Sequence, residues 1–82
     1  MNDVLEVRHV RDYTLWLCFQ DGACGEVDLR ASLRGTVFEP LRDVEYFKQV
    51  RVDPEIGTIV WPNGADIAPE TLYARLRVTT TS

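Results

Sequence analysis

The feature that most limits what this chain can fold into is a strict alternation that runs into a turn signal. Tyr13-Thr14-Leu15-Trp16-Leu17-Cys18-Phe19 puts Tyr13, Leu15, Leu17 and Phe19 on one side of an extended chain and Thr14, Trp16 and Cys18 on the other. Asp21-Gly22 follows as a hairpin turn. Opposed residues of an antiparallel pair share a face, so the register must set apolar against apolar. A two-residue turn would oppose Leu17 to Glu26 and Leu15 to Asp28. A three-residue turn, Gln20-Asp21-Gly22, opposes Phe19 to Ala23, Leu17 to Gly25 and Leu15 to Val27, with Tyr13 and Leu29 extending the same face. The three-residue turn is therefore expected, with Gly22 in the left-handed bulge position.

Around this hairpin the other elements follow from local chemistry. Val4-Leu5-Glu6-Val7-Arg8-His9-Val10 is valine-rich with a broken alternation and reads as a strand. After Leu29 a short helical turn is expected, stopped by Gly35. Residues 37–41 read as an extended or single-turn connector in which Pro40 keeps Glu39 out of helix geometry. Asp43 is a helix N-cap, and a helix follows from Val44 to about Gln49 with Leu41, Val44, Phe47 and Val50 on one side. Arg51-Val52-Asp53, a proline-glycine turn and Thr58-Ile59-Val60-Trp61 make a second hairpin. Pro69 opens the last helix, whose apolar side is Leu72, Tyr73 and Leu76.

The order β-β-β-α-β-β-α predicts an α+β fold: a small antiparallel sheet of about five strands packed by two short helices. Residues 1–78 are expected as one domain and 79–82 as a frayed tail. Eighty-two residues leave no room for two cores, and little for a ligand pocket unless subunits join. An edge strand offers one route to such a homodimer.

Nine basic residues against thirteen acidic give a net charge of −4, which disfavours direct contact with nucleic acid. The longest basic stretch, Arg30, Arg34 and Arg42, is interrupted by Glu39 and Asp43 and reads as a mixed solvated surface. The longest near-apolar run, residues 15–19, is too short to cross a bilayer, and no leader-like apolar segment follows Met1. A cytoplasmic location is expected, with Cys18 and Cys24 facing each other on the side opposite Leu15 and Leu17, as reduced thiols by default and as a cross-strand disulfide in the alternative.

No arrangement of residues calls for catalysis, a metal or a cofactor. His9 is the single histidine and has no neighbour at ligand spacing. Asp53 and Glu55 flank a proline turn, and Asp66 and Glu70 flank a helix start, where acids favour the positive end of the dipole. The glycines form no phosphate loop. The feature that stands out is Trp61-Pro62-Asn63-Gly64-Ala65-Asp66, either a turn closing a core tryptophan or a rigid exposed loop for a partner. A dry, fully buried Trp61 favours the first. The candidate interaction residues are Trp16, Trp61, Pro62, Asn63, Gly64 and Asp66.

The chain resembles the small bacterial domain-of-unknown-function family 2442. The resemblance runs through residues 13–19 with Asp21-Gly22, then Val27-Asp28-Leu29, residues 37–43, Phe47, residues 50–53, residues 57–66 and Pro69-Glu70-Thr71-Leu72-Tyr73. Its specific part ends Trp-Pro-Asn-Gly-Ala-Asp. The resemblance implies a compact α+β fold similar to the N-terminal half of a longer protein whose other half is a helix-turn-helix-like DNA binder. Family genes often adjoin a gene for another small domain, which implies an antitoxin-like seat beside a toxin. It implies no catalytic residues. The expectation is a non-enzymatic protein-interaction module, antitoxin-like, with a small and basic protein partner. Its alternatives are a component of a transcriptional regulator, acting through a partner or a separate DNA-binding half, and a small-molecule binder at a dimer interface.

Overall fold

A computed structural model describes residues 2–76. Five strands and two short helices run in the order β1 (Val4–Arg11), β2 (Thr14–Phe19), β3 (Cys24–Asp28), α1 (Val44–Phe47), β4 (Arg51–Asp53), β5 (Thr58–Val60) and α2 (Pro69–Ala74). Single 3-10 turns at Arg30–Ser32 and Glu39–Arg42 fill the stretch between β3 and α1. The strands form two antiparallel sheets, β1-β2-β3 and β4-β5. The fold is α+β as expected, with its five strands divided three and two. The predicted frayed tail at residues 79–82 lies outside the described residues.

The β2–β3 hairpin has the register that side-chain parity demands: Leu15 opposite Val27, Leu17 opposite Gly25, Cys18 opposite Cys24. The Phe19 amide donates to the Ala23 carbonyl at 2.8 Å, which closes a three-residue turn, and Gly22 takes φ +92° there. Leu29 donates to the Tyr13 carbonyl and prolongs the ladder by one step.

The broken alternation of β1 has a structural cause. Pairing with β2 shifts between Val4 and Glu6 and again between His9 and Arg11. The extra residues, Leu5 and Val10, are pushed outward and are two of the exposed large apolar side chains. The bulges let Val4, Val7 and His9 face the core side in one strand. The start of β1 also joins the two sheets. Val4 donates to the Gly57 carbonyl at 3.0 Å, and Gln20 donates to the Asp3 carbonyl at 2.8 Å. Gly57 has φ +69°, and a Cβ there would come within 2.6 Å of the Asp3 carboxylate, so no other residue fits without a shift.

One core lies between the inner face of the three-stranded sheet, the β4–β5 hairpin and the helices. Val4, Leu15, Leu17, Phe19, Val27, Leu29, Leu41, Phe47, Ile59, Trp61 and Leu72 are its fully covered members. Phe47 sits at its centre, edge-on to Tyr13 with 5.4 Å between ring centres and 5.6 Å from Trp61. The short α1 is held in place by its cap, since the Asp43 carboxylate accepts the Glu45 amide at 3.1 Å. Pro69 is at the start of α2 as predicted.

Three local expectations are corrected. Pro40 does not hold Glu39 out of helical geometry: Glu39 begins a 3-10 turn, whose first residues have no intrahelical amide bond for proline to remove. Tyr73 does not share the buried side of α2 with Leu72; it is exposed, with its ring edge against Phe19. Cys18 and Cys24 are joined as a disulfide, not held as two thiols. Their Cα atoms are 4.1 Å apart, because they form a non-hydrogen-bonded pair, where antiparallel strands approach most closely.

Candidate functional site

Strand parity builds one open surface. With Leu15, Leu17 and Phe19 turned to the core, the outer face of the three-stranded sheet carries three rows of side chains. They are Glu6, Cys18 and Cys24; then Arg8, Trp16 and Glu26; then Arg11, Thr14 and Asp28. All but Cys18 are exposed or half-buried. Trp16 lies in the middle row. The Arg8 guanidinium sits over its ring, 5.3 Å from the centroid, and Arg11 pairs with Glu26 at 3.2 Å. The result is a half-covered aromatic ring within a frame of both charges.

The loop after β5 is rigid, but it does not present its tryptophan. Trp61 accepts the Gly64 amide on its carbonyl and donates its own amide to Ala65, each at 2.9 Å. The Asn63 carboxamide accepts the Ala65 amide at 3.1 Å and donates to the Val37 carbonyl at 2.9 Å, tying the loop to the connector before α1. The Trp61 side chain is 1% exposed, and its indole N–H donates to the Phe47 carbonyl at 2.9 Å. That removes Trp61 from the candidate interaction residues and makes it a core anchor. Pro62, Asn63, Gly64 and Asp66 remain on the surface. The structure does not unite the six candidates into one site: Trp16 faces outward from the sheet, while Trp61 lies in the core on its other side.

The expectation that a chain this short has little room for a pocket is also corrected. An apolar hollow of about 310 Å³ is lined by Asn2, Pro69, Glu70, Tyr73 and Ala74. A larger polar hollow of about 630 Å³ is lined by Tyr13, Arg30, Ala31, Leu33, Arg34, Gly35 and Arg42. Neither gathers the partners of a nucleophile or of an acid–base pair. His9 is half-buried, and its Nε2 lies 2.9 Å from the Asp12 carbonyl oxygen. Among the described residues no three His, Cys, Asp or Glu side chains come together as metal donors. Nor is there a helix there long and apolar enough to cross a membrane. Every buried side-chain polar atom described has a partner; the Thr58 hydroxyl, for example, donates to the Ile67 carbonyl at 2.6 Å.

A family profile with the description "Protein of unknown function (DUF2442)" matches residues 4–77. The chain belongs to this family. The match spans every strand and helix of the DUF2442 domain described above, from β1 through α2. No curated protein and no solved structure matches the chain. The roles of individual residues in this DUF2442 domain therefore rest on geometry. Arg30, Arg34 and Arg42, which read from the sequence as a mixed solvated surface because Glu39 and Asp43 interrupt them, line one hollow. Gly35, at φ +88°, turns the chain between Arg34 and Arg42.

Proposed function

We propose that this DUF2442 domain is a non-enzymatic interaction module of the cytoplasm that docks a small basic protein partner, in the antitoxin-like seat the family resemblance implies. The observation that carries the reading is the uncovered outer face of the three-stranded sheet, with Trp16 half-buried at its centre. A fixed aromatic ring surrounded by charge is the composition of an interface anchor, and covering it removes apolar area from water. Arg8 and Arg11 are already engaged within the face, by Trp16 and Glu26, whereas Glu6 has no cationic neighbour among the described ion pairs. Together with the net charge of −4, this favours a partner that brings arginine or lysine. The reading does not depend on the state of the cysteines. Were the Cys18–Cys24 bond reduced, both side chains would stay on the same face, and Trp16 would keep its position through strand parity.

The test is co-purification of the full chain with the product of the adjacent gene, followed by titration. Trp16→Ala is expected to weaken the complex by about thirtyfold, the loss that an interface anchor gives. Absence of a complex at micromolar concentration, or one that Trp16→Ala and Glu6→Lys leave unchanged, removes the proposal.

A further inference from the structure

We propose that the hollow lined by Arg30, Arg34 and Arg42 is a binding site for a small molecule bearing a diphosphate or a phosphate monoester. The inference is independent of the protein-docking face. It rests on where the chain places charge. Three of its nine basic residues converge on one concave surface of an acidic protein. None of the three forms an ion pair among the described residues. The acids that interrupt them in sequence, Glu39 and Asp43, are not among the lining residues, and the Asp43 carboxylate accepts the Glu45 amide at the start of α1. Asp28 accepts the Arg30 amide at 3.0 Å and lines a different, smaller hollow.

The walls are built. Gly35, at φ +88°, turns the chain so that Arg30 and Arg34 border the same space as Arg42. The Tyr13 hydroxyl donates to the Arg42 carbonyl and ties the second 3-10 turn to β2. The Arg30 guanidinium lies 5.4 Å from the centre of the Tyr13 ring, which orients it. Arg75, at the end of α2, donates to the Ser32 hydroxyl and fastens the first 3-10 turn from behind.

Charge and size select the ligand. Guanidinium groups recognise both carboxylates and phosphates through paired N–H donors. A single carboxylate leaves two of three cations unmatched, whereas a phosphate monoester or diphosphate carries the charge and the acceptor oxygens to meet all three. A hollow of about 630 Å³ is of small-molecule size. A long polyanion would leave the hollow and meet the acidic remainder of the surface, so nucleic acid is disfavoured. The polar side chains of the lining are three guanidinium groups and the Tyr13 phenol, a set suited to holding an anion.

The experiment is calorimetric titration of the full chain with inorganic pyrophosphate and with a nucleoside diphosphate at low and moderate salt. One saturable site is expected. Arg34→Gln with Arg42→Gln should weaken it at least tenfold without moving the melting temperature, since both side chains are exposed. Lys48→Gln with Arg51→Gln removes the same charge elsewhere and should leave binding within about twofold. Three outcomes overturn the site: no binding at millimolar pyrophosphate, equal loss in both double variants, or tighter binding of a DNA duplex that the Arg34/Arg42 variant does not disturb.

Discussion

The two tryptophans mark two regions built on different rules. Trp61 follows β5, whose three residues are all buried, so the strand is covered on both sides and neither parity leads to solvent. Its ring packs against Phe47 and its N–H is satisfied by the Phe47 carbonyl. Trp16 is on β2, where one face is covered and the alternation is real; the ring falls on the open side and takes a cation as its neighbour. Both belong to runs rich in β-formers. What separates them is how many faces of the strand the rest of the chain covers, and that is settled by elements distant in sequence.

The comparison is most sharply tested by truncating each ring. Trp61→Ala is expected to cost about 3–5 kcal/mol, from the cavity left in the core and the lost indole hydrogen bond to the Phe47 carbonyl, which keeps only the Val50 amide at 3.3 Å. Against the roughly 5–15 kcal/mol that holds a typical domain, this brings an 82-residue chain close to unfolding. Trp16→Ala, the variant that tests docking, is expected to cost less, about 1–2 kcal/mol, because the outer face leaves its ring partly in water. Urea denaturation followed by circular dichroism reads both. Equal losses would erase the distinction between the regions.

The sequence was legible where one local rule decided the outcome. Parity and Asp21-Gly22 specify the hairpin register; Asp43 specifies a cap; Pro69 specifies a helix start. It was ambiguous where distant contacts decided. The bulges at Leu5 and Val10 follow from β1 having to meet β2 and the Gly57 carbonyl together. The loop from Trp61 to Asp66 offered a core reading and a docking reading, and only the seat beneath Phe47 chose between them. The arginine hollow was hardest to read. Its shape depends on the chain turning at Gly35 and on Tyr13 reaching across to Arg42, a contact that spacing does not reveal.

A second prediction weighs the open region by itself. The Cys18–Cys24 bond ties two neighbouring strands across a sequence separation of 6, so it closes a short loop. Chain-entropy arguments give about 2 kcal/mol for such a loop, and the turn already limits its freedom. Cys18→Ser with Cys24→Ser, or reduction of the intact chain, is therefore expected to lower stability by about 1–2 kcal/mol, well short of Trp61→Ala. Since the core face is untouched, near-native circular dichroism should persist in folded buffer. A loss as large as that of Trp61→Ala would mean that the outer face carries the fold as much as the core does.

The smallest effect belongs to the residue that touches both regions. Tyr73 sets its ring edge on Phe19, at the rim of the core, and its hydroxyl donates to the Asp21 carboxylate at 2.8 Å, at the tip of the hairpin. The Ala23 amide first, and the Tyr73 hydroxyl after it, hold the Asp21 carboxyl below its ordinary pKa. The hydrogen bond to Asp21, reinforced by its charge, pushes the Tyr73 phenol above its ordinary value. A depressed carboxylate stabilises the fold above its unfolded pKa of about 4, and that contribution disappears as the pH falls through the folded value. A raised phenol stabilises it below its unfolded pKa of about 10, and that contribution disappears as the pH rises through the folded value. Both groups are exposed, so solvent screening keeps the two limbs shallow. Tyr73→Phe keeps the ring on Phe19 and removes only the hydroxyl. It should abolish the alkaline limb, while in the acid limb Asp21 moves part of the way back towards its ordinary value and retains the share due to Ala23. Titration of the Asp21 carboxyl carbon by nuclear magnetic resonance in both forms measures that movement. An unmoved Asp21 would show that the tyrosine is held by its ring alone and that the hairpin tip is not coupled to α2.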